Sequence, residues 1–250
     1  SYVGGRTEPF RQPAREEPAG LSRGRDLYMR DCAWCHGSGG EGTTRGPDLI
    51  SGTNGEAFTH FMLSTGRMPI NEPLDRVTRR DPIYTEGEIE DIVAFVTSLG
   101  GEGPVTPEVD PEGGELSLGL GLYQENCAAC HSTTGIGGAL TTGRPGEVEG
   151  EVAARSGIIA PSIRESSPTE IAEAMVVGPG TMPVFGEETF DDAEVDAIVR
   201  YVVYLQDPDE RGGADLGGVG PVTEGAVAWI VGLGALLLLI RWIGTTRSEQ

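Results

Sequence analysis

Two segments of the chain repeat hydrophobic residues at the spacing of an α-helix. In residues 88–99 and 192–205, apolar side chains recur at intervals of three and four, which puts them on one helix face. Asp191 or Asp192 is a suitable N-cap for the second segment. We therefore predict two amphipathic helices, each burying one face in a core. The predicted buried positions are Ile89, Ile92, Val93 and Val96 in the first helix and Val195, Ile198, Val199 and Val202 in the second.

Residues 225–240 follow a different pattern, because they contain no charged side chain. Trp242 extends the apolar run, so that residues 225–244 reach the roughly 20 residues that a helix needs to span a membrane. A buried helix of a soluble protein is the alternative, but the rest of this polar chain offers little apolar surface to cover such a segment. We predict a transmembrane helix over residues 222–244.

The charges beside this helix predict its orientation. Arg241 and Arg247 lie on its C-terminal side, and basic residues are enriched on the cytoplasmic side of membrane helices. We expect residues 245–250 to form a cytoplasmic tail and the acidic remainder of the chain to lie outside the cytoplasm.

An internal repeat organises the rest of the chain. The pattern Gly-x-x-Leu-Tyr at residues 24–28 precedes a Cys-x-x-Cys-His motif at residues 32–36. The same arrangement recurs 95 residues later, at residues 119–123 and 127–131. The chain therefore contains two copies of one unit, and each copy begins with a helix that carries its Leu-Tyr pair inward.

The two copies continue in parallel beyond these motifs. Pro47 and Met68 are 21 residues apart, as are Pro161 and Met182, and each methionine is followed by proline. The stretch between the Cys-x-x-Cys-His motif and the proline is longer in the second copy than in the first. We therefore place an insertion at residues 141–159. This insertion is rich in Gly, Thr and Glu, and is predicted to be a surface loop.

The Cys-x-x-Cys-His motif is the attachment sequence of c-type haem. Its two thiols lie on one short turn and reach the two vinyl groups of the porphyrin, while the adjacent histidine lies beneath the iron. A zinc site requires cysteine pairs much closer in sequence, and disulfides would leave both histidines unexplained. A thioredoxin-like pair would need a preceding strand, whereas the preceding segments are predicted helices. We predict two covalently bound haem c groups, attached at Cys32, Cys35, Cys127 and Cys130, with His36 and His131 as iron ligands.

Methionine is the expected second ligand of both irons. An electron carrier fills both axial positions, and only His60 remains after the two motif histidines. Met68 and Met182 occupy equivalent places in the repeat, and a thioether raises the potential relative to a second imidazole. His60 is expected to be a half-exposed helical residue. The other methionines are expected in helices or beside the attachment turn: Met29, Met62 and Met175.

Pro47 and Pro161 are candidates for supporting contacts. A backbone carbonyl at these positions can accept a hydrogen bond from the second ring nitrogen of the ligand imidazole. An ordinary turn is the alternative interpretation of both prolines.

These patterns predict an all-α fold with two tandem haem domains of cytochrome c type and one C-terminal transmembrane helix. A porphyrin completes a core that a domain of roughly 85 residues would not fill alone, which accounts for a hydrophobic content of only 38%. The expected divisions are an N-terminal tether at 1–20, the first domain at 21–100, a flexible linker at 101–115, the second domain at 116–206 and a second linker at 207–221.

The charge of the chain excludes one class of function. Acidic residues outnumber basic ones 39 to 18, the formal net charge is −21, and the sequence contains no lysine. Such a surface repels nucleic acid. We therefore expect protein partners and a membrane, and no nucleic acid.

Three segments, together with the two haem motifs, resemble a known family. They are residues 64–69 (Ser-Thr-Gly-Arg-Met-Pro), 178–183 (Gly-Pro-Gly-Thr-Met-Pro) and 220–234. They look like the dihaem cytochrome c subunit of actinobacterial quinol–cytochrome c reductase, and the likeness covers about residues 21–244. The last segment, with its Gly-Pro-x-x-Glu-Gly start, is the most specific of the three.

The resemblance implies a respiratory-chain subunit that carries electrons and performs no substrate chemistry of its own. It implies a Rieske iron–sulfur subunit as the donor, a cytochrome b subunit in the same complex, and menaquinol as the ultimate donor. The implied acceptor is the copper centre of a cytochrome c oxidase. Two other functions are compatible with the same motifs: a dihaem subunit of a periplasmic dehydrogenase or oxidase, and a dihaem peroxidase, which needs one iron open to peroxide.

Overall fold

The structure is a computed structural model that describes residues 19–51, 54–73, 77–138, 159–209 and 221–247. The predicted tether, the insertion, most of the second linker and the end of the tail lie outside these residues, except for a few positions at their edges. In the part described, the regular elements are helices, which confirms the predicted all-α fold. They are α1 (Ala19–Asp31), α2 (Ala33–His36), α3 (Glu56–Ser64), α4 (Glu86–Ser98), α5 (Leu116–Asn126), α6 (Ala128–His131), α7 (Pro168–Val177), α8 (Asp192–Gln206) and α9 (Pro221–Arg247).

Each repeat is built around a pair of helices that cross at a glycine. In the first repeat α1 packs on α4, and in the second α5 packs on α8. A Cβ atom on Gly24 would lie 1.9 Å from the backbone oxygen of Asp91, and a Cβ on Gly119 would lie 1.9 Å from that of Ala197. Any side chain at either glycine would force the two helix backbones apart.

The two predicted amphipathic helices are confirmed as α4 and α8. Their apolar faces lie in two separate cores, one in each repeat. Asp191 is the N-cap of α8: its side chain accepts a hydrogen bond from the Glu194 N–H at 2.9 Å, and the Glu194 carboxylate accepts one from the Asp191 N–H at 3.0 Å. This reciprocal pair satisfies two backbone donors at the helix start. The buried face residues are Ile89, Ile92, Val93, Val96, Ile198, Val199 and Val202, with Val195 partly buried beside them.

The segment between the repeats differs from the flexible linker expected from its composition. The Ala57 N–H donates to the Pro104 oxygen at 3.0 Å, and the Asp110 N–H donates to the Asp196 side chain at 2.8 Å. Backbone and side-chain contacts therefore hold this segment against both repeats. Helices α3 and α7, one from each repeat, also pack directly on each other.

Helix α9 stands apart from the two repeats. Its segment Gly225–Thr245 is long and apolar enough to cross a membrane by length and composition, and none of its most apolar stretch is buried in the protein. Large side chains along it are exposed, among them Trp229, Leu238 and Trp242. A helix of this length with an apolar surface on all sides is unsuited to water.

Candidate haem-binding sites

The first site is built on the single helical turn of α2. The N–H groups of Cys35 and His36 donate to the Cys32 oxygen at 3.0 and 2.9 Å, so that both cysteines and the histidine project from one turn. The Nδ1 atom of His36 lies 2.7 Å from the backbone oxygen of Pro47. Because a carbonyl only accepts, Nδ1 carries the hydrogen, and Nε2 keeps its lone pair for a metal.

The second site repeats this geometry on α6. The N–H groups of Cys130 and His131 donate to the Cys127 oxygen at 3.1 and 2.9 Å. The Nδ1 atom of His131 lies 3.0 Å from the Pro161 oxygen. The two turns are thus equivalent in backbone and in imidazole orientation, although the loop before Pro161 is much longer than the loop before Pro47.

A buried tyrosine anchors each attachment turn from the helix before it. The hydroxyl of Tyr28 donates to the Gly37 oxygen at 2.7 Å, and that of Tyr123 donates to the Ser132 oxygen at 2.7 Å. Both tyrosine side chains are fully buried. The sequence predicted only that both tyrosines face inward. Their equivalent positions in the two repeats were the signal for a shared contact.

The electrostatics of the imidazoles favour the form that binds metal. Burial lowers the pKa of His36 and of His131, and the hydrogen bond to the proline carbonyl offsets only part of this effect. Both rings are therefore neutral near pH 7. Neutral imidazole is the form that acts as a metal ligand.

The thiols do not resemble a redox-active pair. Burial, followed by the neighbouring Asp31 carboxylate, raises the pKa of Cys32 to about 12, and burial raises that of Cys127 to about 11. Reactive Cys-x-x-Cys pairs have lowered thiol pKa values instead. The four cysteines form no disulfide. In the described part of the chain, no three His, Cys, Asp or Glu side chains are grouped as a zinc site would require.

Met68 is held on the loop after α3. Its N–H donates to the Met62 oxygen at 2.9 Å. The turn before it needs Gly66, whose φ is 61° and whose Cβ would lie 2.2 Å from the Arg80 oxygen. Met68 packs against the same apolar core as Cys32.

Met182 has a corresponding place on the loop after α7. Its N–H donates to the Pro179 oxygen at 3.2 Å, and Gly178, with φ of 60°, ends α7 and lets the loop fold back. Met182 packs against the same core as Cys127. The other methionines take different positions: Met29 is exposed, Met62 is in α3, and Met175 is buried in α7.

A polar cluster that sequence reasoning missed lies between the two repeats. His60 is helical and partly exposed, as expected, but its Nδ1 lies 2.7 Å from Oε1 of Glu173, whose side chain is fully buried. The hydroxyl of Thr106 also donates to Glu173 Oε1, at 3.2 Å. Beside them, Arg79 donates to the Glu170 carboxylate at 2.9 Å. These charges bind α7 of the second repeat to α3 and the linker.

Family profiles match both repeats. The profile described as "Cytochrome c" matches residues 21–100, and the profile described as "Cytochrome C oxidase, cbb3-type, subunit III" matches residues 114–202. Both repeats are therefore cytochrome c domains.

Comparison with curated proteins reveals relatives that extend along nearly the whole chain. The "Cytochrome bc1 complex cytochrome c subunit" of Corynebacterium diphtheriae is 33% identical, over 92% of this chain and 83% of the relative. The protein of the same name from Mycobacterium leprae is 35% identical, over 92% of this chain and 78% of the relative. The chain belongs to this family of cytochrome c subunits. A subunit of a cbb3-type cytochrome c oxidase from Azospirillum is 27% identical over 73% of this chain and 61% of the relative.

Membership in this family implies two covalently bound haem c groups, one in each domain. The residues present fit them. Each domain offers two thiols outside any disulfide, a neutral imidazole with Nε2 available, and a thioether beside the same core. The chain is thus a dihaem cytochrome c, and its role is electron transport.

Proposed function

We propose that the two attachment turns and the two Met-Pro loops bind the haems as one set of ligands in each domain. Cysteine thioethers would hold the porphyrin, and the motif histidine and the methionine would each bind the iron. The first haem takes Cys32, Cys35, His36 and Met68, and the second takes Cys127, Cys130, His131 and Met182.

The observation that supports this assignment is the proline contact of each histidine. Pro47 and Pro161 fix the tautomer and the ring orientation of His36 and His131 through hydrogen bonds of 2.7 and 3.0 Å. Haem c, when bound, supplies one-electron chemistry by cycling between ferric and ferrous iron. Ligation by methionine sets the potential above that of a bis-histidine site, and two protein ligands leave no position for substrate.

The proposed role is a subunit of a menaquinol–cytochrome c reductase. Electrons would arrive from the Rieske iron–sulfur subunit and pass through the two haems to the copper centre of a cytochrome c oxidase. The names of the relatives support a complex that also contains cytochrome b. The chain itself adds no bond-making step.

Helix α9 is the proposed membrane anchor. Its exposed apolar surface over Gly225–Thr245 supports a single crossing. We propose that both haem domains are extracytoplasmic and that the C-terminus is cytoplasmic, in agreement with Arg241 and Arg247 at the C-terminal end.

A second candidate is a dihaem subunit of a cbb3-type oxidase. The second domain matches the corresponding family profile, and the Azospirillum relative favours the same function. Purification of the full chain in mild detergent separates the two proposals. Cytochrome b and a Rieske protein should accompany it in the first case, and a haem–copper oxidase catalytic subunit without them in the second.

The ligand assignment has its own test. Met68→Ala and Met182→Ala should each lower the potential of one haem or make it high-spin, while a pyridine haemochrome assay still gives two haems per chain. Met175→Ala is the control, because this buried methionine belongs to α7 and not to the Met-Pro loop. A variant at Met68 or Met182 that keeps its wild-type potential and spectrum would refute that ligand.

A further inference from the structure

A carboxylate at the start of the first attachment turn is held by a tyrosine from a distant part of the domain. Asp31, the last residue of α1, accepts a hydrogen bond of 2.7 Å from the hydroxyl of Tyr84. Tyr84 directly precedes the N-cap of α4, and its ring is buried in the first core, against which Cys32 also packs. Burial, followed by the hydrogen bond to Asp31, raises the pKa of Tyr84, so the hydroxyl keeps its proton and is the donor. The Asp31 carboxylate is therefore fixed beside the attachment turn.

The charge of this carboxylate acts on the sulfur of Cys32. Burial is the largest cause of the raised pKa of Cys32, and the charge of Asp31 is the next. The Arg30 guanidinium donates to the same carboxylate at 2.7 Å and opposes its effect on the sulfur, but more weakly. The Arg30 side chain is 64% exposed and that of Asp31 only 24%, and water screens an exposed charge more strongly. The net electrostatic effect of Asp31 and Arg30 at the sulfur is therefore that of a negative charge.

The second domain has replaced both members of this pair. Asn126 is the residue before its attachment turn, where the first domain has Asp31. Phe190 is the residue before the N-cap of α8, where the first domain has Tyr84 before the N-cap of α4. The Asn126 amide donates instead to the Leu122 oxygen of its own helix at 2.9 Å, and Phe190 is buried in the second core. The carboxylate and its hydroxyl donor thus occur together in the first domain and are exchanged together in the second.

We propose that Asp31, positioned by Tyr84, is a fixed negative charge that lowers the reduction potential of the first-domain haem. This role rests on the proposed attachment of that haem, in which a thioether bond joins the Cys32 sulfur to the porphyrin. Reduction removes one positive charge from the iron, so a carboxylate close to the porphyrin favours the ferric form. The uncharged Asn126 has no such effect in the second domain. The pair therefore makes the two haem sites electrostatically unequal.

Redox titration of the full chain in detergent tests the effect of the charge. Asp31→Asn keeps the shape of the side chain and an oxygen that can accept from Tyr84, but it removes the charge. It should raise the equilibrium constant for reduction of one haem at least about twofold, which is a rise of about 18 mV for one electron. This haem should be the one whose wave Met68→Ala displaces. Arg30→Gln removes a positive charge and should move the same wave to lower potential, whereas a loosened fold would move it in the same direction in both variants. Asn126→Asp is the matched variant of the second domain and should lower the other wave.

The positioning role of Tyr84 has a separate test. In the Tyr84→Phe variant the carboxylate has lost its donor and can turn toward water. Asp31→Asn should therefore shift the potential, in mV, by less than half as much in this background as in the wild-type chain. An equal or larger shift would show that Tyr84 does not position the charge.

A pyridine haemochrome assay on each variant separates failure of this proposal from failure of the proposed function. Two bound haems with a shift of less than about twofold in Asp31→Asn, or a shift to lower potential, would overturn the proposed role of Asp31. So would an effect of Asp31→Asn and Asn126→Asp on the same wave. Fewer than two haems in the wild-type chain would instead refute the proposed function, and a Met68→Ala variant that displaces neither wave would refute that ligand.

Discussion

Replacement of His60 by leucine removes the imidazole that faces the buried carboxylate of Glu173 between the two haem domains. In the wild-type protein His60 Nδ1 lies 2.7 Å from Glu173 Oε1. Without it, Oε1 retains only the Thr106 hydroxyl at 3.2 Å, and Oε2 has no partner in the described part of the chain. We expect the His60→Leu variant to be destabilised because it buries an uncompensated carboxylate.

The free-energy cost of burying the Glu173 charge in this variant has an upper limit that depends on pH. The isolated carboxylate of Glu173 can be neutralised by protonation, and its ordinary pKa is 4.5. Each unit of pH above this value costs about 1.36 kcal/mol. The part of the His60→Leu destabilisation that comes from the buried charge is therefore at most about 3.4 kcal/mol at pH 7 and at most about 1.4 kcal/mol at pH 5.5.

The wild-type pair also has a defined pH dependence. The Glu173 carboxylate beside His60 Nδ1, opposed in part by burial, raises the pKa of His60, and burial raises the pKa of Glu173. The folded pair therefore holds its proton to higher pH than the unfolded chain does. Its contribution is fully present below the ordinary histidine pKa of 6.5 and is lost as pH rises through the raised pKa of the folded pair. The other facing charges are Glu56 of α3 and Glu170 of α7, the latter paired with Arg79.

Urea unfolding of the full chain in detergent measures these energies. Far-ultraviolet and Soret circular dichroism follow the helices and the haem environment, and midpoints at pH 5.5 and 7 are compared between variants. The control is the double variant His60→Leu/Glu173→Leu, which removes both polar groups and should recover most of the loss. A single variant that loses the same stability at both pH values, or a double variant no better than the single one, would refute this account of the cluster.

Two further predictions concern backbone geometry. In α5, Gly119→Ala should destabilise the protein by more than about 2 kcal/mol, because the added methyl meets the Ala197 carbonyl of α8. The control Gly121→Ala has open space and should stabilise it by about 0.5 kcal/mol. Thermal melts of both variants test this, and equal melting temperatures would contradict it. Ser132 has φ of 64° and ψ of 165°, a conformation that favours glycine. Ser132→Gly should therefore stabilise the second domain by about 1 kcal/mol. Gly37→Ser, at the equivalent turn, should destabilise the first domain. An unchanged or lower stability of Ser132→Gly would be inconsistent with strain at this turn.

The features that the sequence predicted well depend on residues close together in the chain. The periodic apolar positions of α4 and α8 identified which face is buried, because neighbours three and four residues apart share one side of a helix. The turns at Cys32–His36 and Cys127–His131 were recognised for the same reason, as five consecutive residues carry the attachment chemistry. The family resemblance was confirmed by relatives along most of the chain.

The features that the sequence did not reveal depend on how separate segments meet. Nothing near His60 in the chain indicates Glu173, which lies 113 residues further on, and the composition of the linker predicted flexibility although its backbone is bonded to both domains.

By itself the sequence determined that this protein carries two haems on two similar all-α domains, followed by an apolar helix. Local spacing suffices for that, since a haem-attachment turn and an amphipathic helix are each specified within a few consecutive turns of chain. Only the tertiary structure decided which charges face one another between the domains. That pairing depends on the relative placement of α3, α7 and the linker, because a buried carboxylate is tolerated only where a partner from another segment reaches it.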